Sequence, residues 1–230
     1  VRVPSIIHQT WKNRLDVPDL QQSWAWSHDD QFEYIFVDDK EMSMYMENNC
    51  TDKEISCFKR LTNGAAKADL YRYSALYRQG GVYVDIDVFP IVKLTDFIKT
   101  SGITVVNDNY GLYNAFFCCE KGHPLIRQCV NLLCDNIIHN KHNGGTHAAI
   151  FSLSGPSMFA TVFRDFFKIP SDTQLEECDT EDYRVLHHDF ERQRIKYKTM
   201  DVLQTQMIHE CQYESYRNGE HYREGQQLYK

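Results

Sequence analysis

GAAKADLYRYSALYRQGGVYVDIDVFP, residues 64–90, joins two elements of opposite periodicity through a pair of glycines. Gly64 to Gln79 is rich in Ala, Leu and Arg, which are good helix formers, and Gly80-Gly81 stands where a helix C-terminus favours glycine. Val82 to Val88 alternates: Val82, Val84, Ile86 and Val88 point one way, and Tyr83, Asp85 and Asp87 point the other. Pro90 closes the strand. A helix running into a buried strand, with acids along one side of that strand, predicts an α/β fold whose strand end carries the chemistry.

Two carboxylates on one face of a buried strand are costly unless a cation balances them. On a continuous strand their Cβ atoms stand ~6.5–7 Å apart, twice the rise per residue, which is wide for joint coordination of one ion. The strand is therefore expected to break at Asp87. Asp87 would then bind the metal directly, and Asp85 would reach metal, ribose or sugar from one step behind. Hard oxygen ligands suit Mn²⁺ or Mg²⁺. A solvated strand edge fits less well, because no Lys or Arg lies within the strand to pair with the acids. Asp69 and Arg72, three apart on the preceding helix, share a face. Alone they would read as a surface ion pair. So close to Asp85 and Asp87, they can face the same pocket, Arg72 toward phosphate and Asp69 toward hydroxyls.

Outward from this block, Pro4–Thr10 reads as a short apolar strand and Phe32–Val37 as a second, followed by a helix over Lys40–Glu47. Trp11 to Asp30 reads as loop and helix, with Pro18 at a helix start. Strands are expected near Ile103–Val106 and Ala115–Cys118, and helices over Leu125–His139 and around Phe159–Phe166. From Tyr213 onward the chain is polar and dotted with glycine, in the manner of a wrapping tail.

The chain has 230 residues, 42% hydrophobic and 25% charged, enough for one domain with a substantial core. A formal charge of −7 argues against nucleic-acid binding, which needs a basic stripe. No apolar run of 18 residues is present, so no integral membrane segment is expected. Nor is there a signal-peptide pattern. Eight cysteines without a CxxC pair point to reduced, buried thiols and a cytoplasmic setting. The alternative is a lumenal domain trimmed from an upstream anchor, where the Asn49-Cys50-Thr51 sequon would matter.

KADLYRYSALYRQGGVYVDIDV (Lys67–Val88) closely resembles the DXD signature of family 32 glycosyltransferases, which include yeast initiating mannosyltransferases. The glucosyltransferase domains of large clostridial toxins are more distantly similar. PSIIHQTWK (Pro4–Lys12) resembles the same family's N-terminal strand, and NAFFCCEKGHP (Asn114–Pro124) and SGP (Ser154–Pro156) resemble its later landmarks. The resemblance implies a GT-A fold, a Rossmann-like nucleotide-binding sheet flanked by helices with an acceptor-binding half. The expected division is about 1–110 for the nucleotide-sugar half, about 111–212 for the acceptor half, and 213–230 for the tail.

By the same resemblance, Trp11 stacks on the nucleotide base, and Asp69 and Arg72 contact ribose, sugar hydroxyls or phosphate. Tyr83 bonds near ribose or diphosphate. Asp85 and Asp87 serve the metal, with His209 as a third ligand and Ser215 as a diphosphate contact. Relatives carry Ser-Trp where this chain has Ser215-Tyr216, and His221 rivals His209.

The expected activity is that of a hexosyltransferase in polysaccharide biosynthesis. It would transfer a sugar, with retention, from a nucleotide-sugar donor to a hydroxyl of a glycan or small acceptor. UDP-glucose is the first candidate donor and GDP-mannose the second. Two other readings compete. A non-catalytic nucleotide-sugar-binding pseudo-transferase would keep the fold without turnover. A haloacid-dehalogenase-type phosphohydrolase also uses Asp-x-Asp, but near the domain start and without the Val88-Phe89-Pro90 that follows here.

Overall fold

The computed structural model describes residues 2–16, 31–108, 111–142, 147–205 and 228. The order of elements is β1 (Ile6–Thr10), β2 (Glu33–Val37), α1 (Asp39–Asn49), α2 (Asp52–Arg60), α3 (Gly64–Gln79), β3 (Gly81–Val84) and β4 (Val88–Pro90). Then come β5 (Ile103–Asp108), β6 (Gly111–Leu112), β7 (Phe116–Cys119), α4 (Pro124–Ile138), α5 (His147–Leu153) and α6 (Pro156–Phe167). Four more strands, β8 (Cys178–Asp179), β9 (Tyr183–Asp189), β10 (Arg194–Tyr197) and β11 (Met200–Thr205), complete the described chain.

All the strands join one mixed sheet, in the order β2-β1-β3-β7-β5-β9-β10-β11-β4, with β6 on β5 and β8 on β9. β1 pairs in parallel with both β2 and β3, so all three end on the same rim. This is where ligands bind in open α/β sheets, beyond the carboxyl ends of the strands. β4 follows β3 directly in the chain, yet it pairs with β11 at the far edge. Val88 and Leu203 from that edge share a core with Ile7, Val82 and Val84 from the middle strands. The sheet therefore curls until its edge returns to its centre, and the turn between β3 and β4 is the seam.

Helices cover the other face. Tyr71, Tyr73 and Leu76 of α3 meet Leu133 of α4 and Phe159 and Phe163 of α6 over Tyr83, Val105, Phe117 and Val185. Leu228, from the segment that reads as a tail, is 1% exposed in this core, and its carbonyl accepts from the Thr62 N–H at 2.9 Å. Among the described residues no helix is long and apolar enough to cross a membrane. Seven of the eight cysteines are described, and all seven are free thiols. Cys211 lies outside the described residues.

Two sequence expectations need correction. The expected break in Val82–Val88 is present but begins earlier: β3 ends at Val84, and Asp85 to Asp87 form the turn before β4. The Asp85 N–H still reaches the Ala115 carbonyl at 2.7 Å, but the Val88 N–H then closes a turn on the Asp85 carbonyl at 3.1 Å. Ile86 consequently leaves the face of Val82 and Val84 and packs with Trp11 and Phe36 instead. The second difference is an addition: α2, α5, β6 and the strands from β8 to β11 go beyond the elements that the sequence pattern predicts. The helix that Pro18 is expected to start lies outside the described residues.

Candidate active site

The glycine pair fixes where α3 hands over to β3. Gly80 has φ +70°, and a Cβ there would stand 2.6 Å from the Lys121 backbone nitrogen; one on Gly81, at φ +99°, would stand 2.5 Å from the Ile6 carbonyl oxygen. Both positions exclude a side chain on two grounds, backbone conformation and space. At the other end of α3 the Asn63 side chain caps the helix, accepting from the Ala66 N–H at 3.1 Å. With both ends pinned, Asp69 and Arg72 are held against the rim of β3.

Arg72 is the hub. Its guanidinium forms an ion pair with Asp85, Nη2 to Oδ1 at 3.1 Å, and donates to the Asn114 carbonyl at 2.5 Å, and its Nε lies 3.4 Å from Asp69 Oδ1. It also stacks over the Tyr83 ring, with Cζ 4.3 Å from the centroid. The Tyr83 hydroxyl donates to the same Asp85 oxygen at 2.8 Å. The Arg72 side chain is 6% exposed, against 31% for Asp85, so the charge pair reaches solvent through the aspartate. Burial opposes the charge on Arg72, but Asp85, Tyr83 and Asp69 outweigh it and hold the guanidinium protonated beyond its ordinary range.

Asp69 lies beneath this layer. Ser154 donates to its Oδ2 at 2.6 Å and the Asn114 amide to its Oδ1 at 2.8 Å. Burial pushes its pKa up to about 6, against the pull of Arg72 and Ser154. Here Asp69 is an internal partner that orients Arg72. Tyr73 completes the layer: its hydroxyl donates to the Ser154 carbonyl at 3.0 Å and lies 3.3 Å from the Asn114 amide.

Gln9 braces the turn from β1. Its amide donates to the Asp85 carbonyl at 3.2 Å, while its own carbonyl accepts from the Tyr34 hydroxyl at 2.7 Å. His8, one residue earlier, donates from Nε2 to the Gly80 carbonyl at 3.1 Å. Burial lowers its pKa to about 4, so the ring is neutral. Asp87, 9% exposed, sits at the seam. β4 starts at the next residue, and Val88 pairs with Thr205, where β11 ends. Trp11, 7% exposed, follows β1 and packs on Ile86, the middle residue of the Asp-x-Asp turn.

The structure thus brings Trp11, Asp69, Arg72, Tyr83, Asp85 and Asp87 to one rim, whereas His209 and Ser215 lie outside the described residues. Asn114, Ser154, Gln9 and Tyr73 join the site without having been legible as site residues. Three of them stand in the landmark segments quoted above and Tyr73 lies in the helix block, but no periodicity singles any of them out.

A divalent ion suits part of this arrangement. The donors are hard oxygens, and Asp85 Oδ2 carries none of the bonds made by Tyr83 and Arg72. Among the described residues no group of three His, Cys, Asp or Glu is placed to hold a metal. An ion here would therefore draw further ligands from the diphosphate, from water or from residues beyond those described.

Comparison with known proteins agrees with the geometry. Residues 16–104 match the family described as the glycosyltransferase sugar-binding region containing a DXD motif. Inositol phosphoceramide mannosyltransferase 3 of Schizosaccharomyces pombe is 27% identical over 174 residues, 73% of this chain and 47% of that protein. The initiation-specific alpha-1,6-mannosyltransferase of Candida albicans is 25% identical over 205 residues, 70% of this chain and 52% of that one. The chain thus spans about half the length of these curated relatives. Among solved structures, PaToxG Glycosyltransferase superposes with a TM-score of 0.59 at 14% identity, covering 73% of this chain and 71% of that one. The fold is α/β of the GT-A type.

Proposed function

We propose that this chain, whose residues 16–104 match a DXD-containing glycosyltransferase sugar-binding region, is a metal-dependent, retaining hexosyltransferase acting on a nucleoside-diphosphate sugar. The observation that carries this reading is the Asp85–Asp87 turn at the carboxyl rim of β1, β2 and β3, with Arg72 and Tyr83 gripping one oxygen of Asp85. Phosphate and ribose belong at such a rim.

Asp85 and Asp87 hold a Mn²⁺ or Mg²⁺ ion together with the donor diphosphate, and that ion supplies positive charge to the leaving oxygens. Arg72 pairs with the Asp85 carboxylate and aims it, Asp69 keeps Arg72 in place, and Tyr83 fixes the carboxylate rotamer. Trp11 lies beside the turn, where the nucleotide base belongs. His209 is assigned as a third ligand and Ser215 as a diphosphate contact.

In the transfer, the bond between the anomeric carbon and the diphosphate oxygen breaks, and its electron pair leaves on the diphosphate. The acceptor oxygen bonds to the same carbon from the same face. The acceptor's proton passes to the departing diphosphate oxygen. The names of the curated relatives favour a mannosyl group, so GDP-mannose is to be tested beside UDP-glucose.

The test is hydrolysis of both donors with and without Mn²⁺, in wild type and in Asp87→Ala. Metal-dependent hydrolysis is expected in the wild type and a fall of at least about a thousandfold in the variant, on the scale of losing a principal electrostatic group. Full activity in the variant, or metal-independent turnover, would sink the assignment. Metal-dependent donor binding without turnover would instead favour the pseudo-transferase.

A further inference from the structure

On the same rim as Asp85, a cavity of about 590 Å³ opens beside the end of β5. That volume lies within the span of small-molecule sites, roughly 300–1,000 Å³. Its position follows from the register. Val84 stands opposite Phe116 and Thr104 opposite Cys118, which sets Asn107 level with Asp85 two strands away. Two strand spacings amount to about 10 Å. Asn107 also shares the pleat side of Val105, the helix-covered face on which Tyr83 lies.

One turn of chain connects the cavity to the carboxylate cluster. Ser154, at the end of α5, donates to Asp69, and two residues later the Pro156 carbonyl lies against Gly111 at the cavity wall. Gly111 has φ +141°, and a Cβ there would stand 2.6 Å from that carbonyl oxygen. The space therefore depends on glycine at the β5–β6 hairpin.

The polar lining is unequal in charge. Among the described residues, the lining holds three carboxylates, Asp108, Glu176 and Glu177, and one guanidinium, Arg164, beside the His187 imidazole and the Asn107 amide. Arg164 is in part engaged already, donating to the Pro170 carbonyl at 2.8 Å, as are Glu177, one oxygen of which accepts from the Lys198 N–H, and Asn107, whose amide donates to the Leu175 carbonyl. Carboxylates accept hydrogen bonds from hydroxyls, and an excess of them repels phosphate.

We propose that this cavity receives the acceptor as a neutral glycoside, its hydroxyls donating to Asp108, Glu176 and Glu177, and that it discriminates against phosphate-bearing sugars. The assignment of the bound glycoside as acceptor rests on the transferase reading; the selectivity of the cavity is measured without it.

Binding of methyl α-mannopyranoside and methyl α-glucopyranoside is compared with that of mannose 6-phosphate and glucose 6-phosphate. Ligand-observed NMR at fixed ionic strength is used, with neither donor nor metal present. A neutral glycoside is expected to bind at least about tenfold more tightly than the phosphates, and Glu176→Lys is expected to shrink that ratio by about tenfold. Phosphates binding as tightly as the glycosides, no glycoside binding, or a ratio unmoved by Glu176→Lys would each overturn the proposal. If the selectivity holds while donor hydrolysis is absent, the transferase reading fails and the cavity's preference stands.

Discussion

Replacing Asp69 with Asn should make the protein more stable at neutral pH and less able to act. Asp69 is 5% exposed, and burial raises its pKa from 3.8 to about 6 despite Arg72 beside it. Between those values the folded state binds more protons at this site than the unfolded state does. Stability contributed by Asp69 is thus full below about pH 4 and is lost as the pH rises through 6. Each tenfold change in proton affinity is worth about 1.4 kcal/mol, so a rise of this size amounts to about 3 kcal/mol. Asn is neutral at every pH and escapes this loss.

His8 and His188 act in the opposite sense. Burial lowers both to about 4, so the folded state binds fewer protons there, and their contribution falls as the pH drops from 6.5 toward 4. The wild-type profile alone therefore mixes two slopes, and only the difference between variant and wild type isolates Asp69. Urea unfolding of both proteins in half-unit steps from pH 4 to 7 measures it. The curves should meet near pH 4 and diverge by about 3 kcal/mol at pH 7, or about 6–12 °C in Tm for a chain of this size. Donor hydrolysis should fall in the same variant, because Arg72 loses the charge that orients it. A constant difference across the pH range, or an Asn variant less stable at pH 7, would refute the argument.

Arg72→Lys should cut donor hydrolysis at least about a hundredfold in steady-state assays, since an ammonium cannot bond Asp85 and the Asn114 carbonyl while stacking on Tyr83. Gly81→Ala should destabilise by more than about 2 kcal/mol in urea unfolding, because its Cβ would meet the Ile6 carbonyl and its φ is positive. Leu228→Ala should cost about 2–4 kcal/mol by the same measurement, because the side chain is buried in the helix-side core.

What the sequence makes legible is local. The bounds of α3 and the Gly80-Gly81 handover follow from side chains that cap, end or permit a turn at their own positions. The start of the break at Asp85 does not, because the alternation of Val82 to Val88 is itself a perfect strand signal and the carboxylate spacing suggests a break only at Asp87. What overrides it is distant: β4 is claimed by β11, which pulls Val88 out of line with Val84. The depth of Asp69 is hidden for another reason. An acid and an arginine three apart look like a surface pair, and α3 buries nearly its whole middle stretch, so no apolar stripe marks which side faces in. β9 to β11 carry charges and histidines among their apolar residues and leave several positions partly exposed, so they resemble loop until they are paired. The start of α2 is different, since Thr51 and Glu54 form a capping box that the sequence displays.

The seam at Asp85–Val88 also bears on the order in which the molecule can be made. β3 can pair with β1 and β7 using chain on either side of it, but β4 waits for Thr205 and its neighbours, far downstream. Contacts so distant in sequence are costly in loop entropy and form late. The carboxylate Asp87 thus takes its final position only when β11 closes against β4. During synthesis, the parallel strands can assemble while the Asp85–Asp87 turn is still half-formed. Under the proposed function, a nascent chain would gain its affinity for donor near the end of folding rather than at the beginning.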